Sequence, residues 1–131
     1  MRVLVCLAVS CGVAAAQSPA VARGKYLVEG AGGCVYCHTP KLDTGELDTS
    51  KWMKGAVLEF GPLKPIKDWH KTSPDLTPSG TLFKKWGAEG LLKFLETGKT
   101  PKDTYPGPPM PPYRYTREDA AAIVEYVKTL P

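Results

Sequence analysis

The sequence predicts an all-α fold in which three or more helices are separated by loops too long to pack on themselves. Apolar residues recur at helical spacing around residues 20–29, 88–97 and 117–130, whereas the stretch between Thr39 and Ser79 is loop-rich and aperiodic. A Cys-x-x-Cys-His pattern stands at residues 34–38, between the first helix and that long loop. With 131 residues the chain is ample for one domain and short for two.

The first sixteen residues carry one basic residue, a short apolar stretch and a small-residue end at Ala14 and Ala16. They read as a secretory signal peptide, 1–16, cut between Ala16 and Gln17 to leave a domain at 17–131. The apolar run is too short and too rich in Ala and Gly for a membrane span, which needs about 20 residues. Two alternatives stay open: a retained N-terminal anchor, and a lipoprotein signal ending at Cys11, where Val9 and Ser10 suit such a site but Ala8 stands in place of the expected Leu. Cleavage at Ala16 also removes Cys6 and Cys11, leaving Cys34 and Cys37 as the only thiols. An exported domain of this size without another disulfide has to find its core elsewhere.

Ser18-Pro19 reads as an N-cap followed by proline at the first helical position, opening a helix through Glu29 that closes at Gly30 to Gly33. From Thr39 to Ser79 the chain should be mostly loop, with a short strand near Ala56 to Phe60. Such a loop needs something central to organise it. A second helix is expected from Ala88 to Thr97, with Leu91, Leu92, Phe94 and Leu95 on its apolar face and Gly98 as its stop. Six prolines between Pro101 and Pro112 exclude helix and central strand there. In the last element, Thr116 to Asp119 resembles a capping box, and Ala120, Ile123, Val124, Val127 and Leu130 repeat at helical spacing.

Cys34-Val35-Tyr36-Cys37-His38 is the attachment pattern for a c-type haem. Two thiols three residues apart on a turn of helix reach two vinyl groups on one side of a porphyrin and form thioethers, and His38 is then placed to ligate the iron. A ligating imidazole usually donates its other N–H to a carbonyl or carboxylate, which fixes the ring. A thioredoxin-like pair would need a strand upstream within a βαβ pattern, and a structural zinc site would need four ligands where the mature chain offers Cys34, Cys37, His38 and the distant His70.

A six-coordinate iron needs a second axial ligand, and Met110 is the first candidate. Its thioether is soft and neutral, favours ferrous iron and raises the reduction potential. The run Pro108-Pro109-Met110-Pro111-Pro112 restricts the loop before ligation and so lowers its ordering cost. Met53 and His70 are the rival ligands, the latter giving a bis-histidine site of lower potential.

Beyond this motif, three pieces carry a family resemblance: Arg23 to Val28 running into Cys34 to Pro40; Ser73-Pro74-Asp75-Leu76-Thr77-Pro78; and Pro109 to Tyr113 with Ala122 to Pro131. Together they resemble class I c-type cytochromes over nearly all of the mature chain, and are similar to the cytochrome c subunits and domains of bacterial membrane-bound alcohol and sugar dehydrogenases. The resemblance implies a cytochrome c fold around one covalently attached haem. It also implies that Gly24 lets the first helix cross the last beside Tyr126, that the carbonyl of Pro40 accepts from His38, and that Trp86 contacts the haem or its propionates. Those dehydrogenase-associated chains usually carry three attachment motifs, and this chain carries one.

The formal net charge of +4 is spread along the chain, with lysines at 51, 54, 64, 67, 71, 84, 85, 99 and 102. This is either a solvated surface or a docking face for an acidic redox partner, where complementary charge speeds encounter. No dense Arg/Lys run is interleaved with aromatics, so nucleic acid is excluded. The expected function is one-electron transfer by a single haem c with His38 and Met110 as metal ligands, in the bacterial periplasm. A dehydrogenase or respiratory complex would be the donor and an oxidase or another cytochrome the acceptor. Membrane association would come only through partners or a retained or lipidated N-terminus. No catalytic residues are expected. Three alternatives differ in partner or chemistry: a permanently bound subunit of a larger respiratory or dehydrogenase complex, a haem enzyme or gas sensor with an open sixth site, and a thiol oxidoreductase.

Overall fold

Ser18 accepts a hydrogen bond from the Val21 amide at 3.3 Å and Pro19 occupies the first helical position, so helix α1 (Pro19–Lys25) begins where its sequence demands. The computed structural model describes residues 17–131; the leader, its cleavage point and the proposed lipidation site at Cys11 lie outside the described residues. Instead of continuing as α-helix to Glu29, the chain widens into a π-helical turn over Tyr26–Ala31. Helix α2 (Cys34–His38) is a single short turn launched from Gly33 in the left-handed region.

The second expected helix is longer than its periodicity indicates. Helix α3 runs from Thr81 to Thr97 but breaks at Gly87, whose φ of 66° and ψ of −178° are open to glycine and costly for other residues. The half from Ala88 to Thr97 is the predicted helix, ended by Gly98; the half from Thr81 to Trp86 was not expected. Helix α4 (Arg117–Val127) is capped by Thr116, whose hydroxyl accepts from the Asp119 amide at 3.2 Å. Asp119 does not complete a capping box, because its carboxylate reaches Arg23 on α1 at 2.8 and 3.0 Å.

Helices α1 and α4 cross at Gly24, the one buried residue of α1. A Cβ at Gly24 would collide with the Ala122 carbonyl group and stand 2.8 Å from the Cβ of Tyr126, so hydrogen is the only side chain that admits this approach. The expectation for Gly24 and Tyr126 therefore holds. Around the crossing, Leu27, Val28, Leu91, Phe94, Ile123, Val124 and Val127 form a contiguous core with Val35 and Met53. Each large aliphatic side chain buried there contributes about 1.5–3 kcal/mol relative to exposure.

Among the described residues there is no strand. The stretch from Ala56 to Phe60 supplies a lone antiparallel bridge, Val57 to Thr72, reinforced by Leu58 N–H donating to the Lys71 carbonyl and Ser73 N–H to that of Ala56, each at 2.8 Å. The chain between them leaves and returns as an excursion. The loop-rich middle is tied to α2 by the Gly55 amide on the His38 carbonyl at 2.8 Å and by Ser73, whose hydroxyl donates to the Cys37 carbonyl at 2.5 Å while accepting from the Ala56 amide at 2.9 Å. Those bonds satisfy carbonyls that a helix end leaves open.

Candidate functional site

Helix α2, the kinked α3, the 53–76 segment and the proline loop enclose a cavity of about 630 Å³, within the range of cofactor sites. Cys34, Cys37, His38, Trp86 and Met110 all line it, which brings together five of the six residues singled out from sequence. The sixth, Pro40, is elsewhere: its carbonyl accepts from the Asp48 amide at 2.8 Å, and it borders a separate surface hollow.

The carbonyl that meets His38 belongs to Pro74, 2.9 Å from Nδ1. This corrects the expectation for Pro40. A residue two positions on from His38 cannot swing its carbonyl back beneath the ring while Thr39 is extended, whereas a segment returning 36 residues later can. The bond assigns the Nδ1 proton and leaves Nε2 as the free lone pair. His38 is buried, and that burial, opposed by the Pro74 bond, lowers its pKa from the ordinary imidazole value. The neutral ring is the form a metal requires.

Cys34 and Cys37 are half-buried and unbridged. Burial pushes the Cys34 thiol up to about 11. A reactive redox thiol is held low, not high, so Cys34 lacks the electrostatics of a thiol oxidoreductase's nucleophile. Tyr113 lies beside them, its hydroxyl donating to the Gly32 carbonyl at 2.9 Å and its ring stacked on Tyr115 at 5.2 Å. Burial raises the Tyr113 phenol above its ordinary value. That clamp joins the proline loop to the turn before Cys34.

Trp86 lines the cavity from the first half of α3 and packs against Phe94 at 5.5 Å. The two rival ligands also line it. Met53 is wholly buried in the core; its amide donates to the Thr39 hydroxyl at 3.1 Å and its carbonyl accepts from the Leu76 amide at 2.9 Å, tying it to the residues flanking His38 and Pro74. His70 is exposed at the cavity's edge.

The cavity has two thiols and a neutral imidazole on one short helix, apolar walls and a methionine on a stiffened loop. These residues fit a covalently attached haem. The chain belongs to the cytochrome c family, whose sequence pattern matches residues 21–131. Membership brings a covalent haem c with its iron and the role of electron carrier rather than catalytic enzyme.

The chain is similar to the diheme cytochrome c-type protein of Cereibacter sphaeroides, at 34% identity over 119 residues, 87% of this chain and 36% of that protein. It is also similar to the cytochrome c subunit of alcohol dehydrogenase (quinone) from Gluconobacter oxydans, at 29% identity over 121 residues, 88% of this chain and 25% of the subunit. The fructose dehydrogenase cytochrome subunit of Gluconobacter japonicus is 27% identical over 114 residues, 83% of this chain and 22% of that one. The chain thus spans between about a fifth and a little over a third of the length of these relatives. Among the described residues no helix is long and apolar enough to cross a membrane.

Proposed function

We propose that the chain carries one electron at a time on a single haem c attached to Cys34 and Cys37, with His38 and Met110 as the axial ligands. The observation that carries this reading is the lining of one cavity by these four residues from two stretches of sequence more than seventy residues apart. When bound, haem iron supplies reversible one-electron chemistry between ferric and ferrous states. The protein residues hold the group still. Pro74 fixes the rotation of His38, Ser73 and Gly55 tie α2 to the loop beneath it, and Tyr113 holds the proline loop against the attachment turn.

Met110 is preferred to Met53 on geometry. A second iron ligand would have to come from a wall other than the one that carries His38, and Met53 is pinned through Thr39 and Leu76 to that same wall. Met110 comes from the proline loop, a different wall of the cavity. Residues 1–16 would export the chain to the periplasm, and the partners would be dehydrogenase or respiratory proteins. Its likeness to the cytochrome c subunits of an alcohol dehydrogenase and a fructose dehydrogenase supports that partner class.

Met110→Ala tests the ligand assignment in haem-loaded protein. The variant should lose the weak far-red sulfur-to-iron charge-transfer band of the ferric form, shift to a lower reduction potential and bind added imidazole or carbon monoxide readily. An unchanged spectrum would transfer the sixth position to Met53 or His70.

A further inference from the structure

The excursion between Val57 and Thr72 has a firm base and a specific point of return. At its base stand the Val57–Thr72 bridge and the two 2.8 Å bonds beside it. On the way back, Asp68 adopts a left-handed φ of 59° and turns the chain toward the proline loop. The His70 amide then donates to the Pro108 carbonyl at 2.8 Å. Among the described residues this is the one main-chain hydrogen bond that ties residues 105–112 to the rest of the domain. Proline at 106, 108, 109, 111 and 112 leaves that stretch only three amide donors of its own, at Tyr105, Gly107 and Met110, so an incoming amide helps to hold it.

The second contact is steric. Gly107 lies so close to His70 that an added Cβ would collide with Nε2 and stand 2.6 Å from Cδ2 and 2.7 Å from the Asp68 carbonyl oxygen. The φ of Gly107 lies outside the left-handed region, so its backbone tolerates alanine and only the space forbids it. The imidazole edge and the Asp68 carbonyl thus press on the loop three residues before Met110.

We infer that residues 57–72 form a strap that positions Met110, with His70 and Gly107 as its point of contact. The inference rests on Met110 being the axial ligand. His70 and Gly107 are positioning residues: they set where the thioether sits and keep the sixth position closed to other ligands. An iron–thioether bond would be weak, and a loop free to move would lose it more readily than one held in place.

The test uses haem-loaded protein and two readouts, the far-red charge-transfer band and the affinity of the ferric form for imidazole. Gly107→Ala inserts a wedge under the strap and should weaken the band and raise imidazole affinity by about tenfold or more. Gly107→Ala combined with His70→Ala removes the imidazole and leaves the Asp68 carbonyl as the remaining obstacle, so it should recover part of the band and part of the low affinity. His70→Ala alone, which introduces no clash and serves if the wedge prevents folding, should raise imidazole affinity by a smaller factor. Unchanged band and affinity in both single variants, or a double variant no better than the wedge, overturn the strap while Met110→Ala still shows its predicted losses. Wild-type protein that lacks the band, or that Met110→Ala leaves unaltered, overturns the ligand assignment and the strap with it.

Discussion

Gly24→Ala measures how tightly α1 and α4 cross. A Cβ at Gly24 would overlap the Ala122 carbonyl oxygen, stand 2.6 Å from the Ala122 carbonyl carbon and 2.8 Å from the Tyr126 Cβ. Carbon–carbon contacts settle near 3.5–4.0 Å, so the two helices have to part by about 1 Å at this point. None of the three obstacles can rotate away, since two are backbone atoms and the third is fixed to it. Overpacking costs about 1–3 kcal/mol, and rigid neighbours put this site at the upper end. Alanine recovers about 1 kcal/mol of helix propensity over glycine, which leaves a net loss of about 2 kcal/mol.

Gly30→Ala is the internal control, because its added Cβ would meet only the Tyr26 ring at 3.7 and 3.8 Å, an ordinary contact. Denaturant unfolding of the haem-loaded protein, read by the change in its haem absorbance, should place the Gly24 variant well below wild type and the Gly30 variant at or above it. A Gly24 variant as stable as wild type, or a Gly30 variant equally damaged, would refute the close crossing.

Ser73→Ala removes the hydroxyl that donates to Cys37 and accepts from Ala56, leaving two main-chain groups without that partner. It should cost about 1–3 kcal/mol in the same unfolding measurement. A neutral outcome would mean that water replaces the hydroxyl at no cost. The Arg23–Asp119 pair gives a pH dependence. Its hydrogen bond to Arg23 lowers the Asp119 carboxyl below its ordinary value, so the stabilisation is present above the unfolded value near about 3.9 and is lost as pH falls through the lower folded value. Asp119→Asn should therefore be less stable than wild type at neutral pH, with the gap closing on acidification; a gap that persists in acid would point to a packing defect instead.

Local chemistry was legible where the sequence acts through near neighbours. Ser18 and Thr116 cap the helices they precede, Cys34, Cys37 and His38 share one turn, and the glycine at 24 marks a close crossing. What escaped was set by chain return. Pro74 reaches His38 from 36 residues away, and nothing in its spacing distinguishes it from Pro40, which lies nearer in sequence. The first half of α3 is too short to show a period before Gly87 interrupts it. The strand expected at Ala56 to Phe60 shrinks to a bridge because the chain departs through Pro62 and Pro65 before a second rung can form. Met53 offers no periodic signal, standing beside Trp52 between Lys51 and Lys54, yet with a left-handed φ of 58° it turns into the core and is wholly buried there.

The account depends on one haem being joined to this polypeptide through Cys34 and Cys37. Intact-mass measurement of protein matured in a secretory compartment that performs haem attachment tests that most directly. The predicted result is a chain starting at Gln17 and heavier by one haem, with the added mass absent from a Cys34→Ala/Cys37→Ala variant. A wild-type mass equal to the bare polypeptide, or a double variant that keeps the full increment, would contradict it.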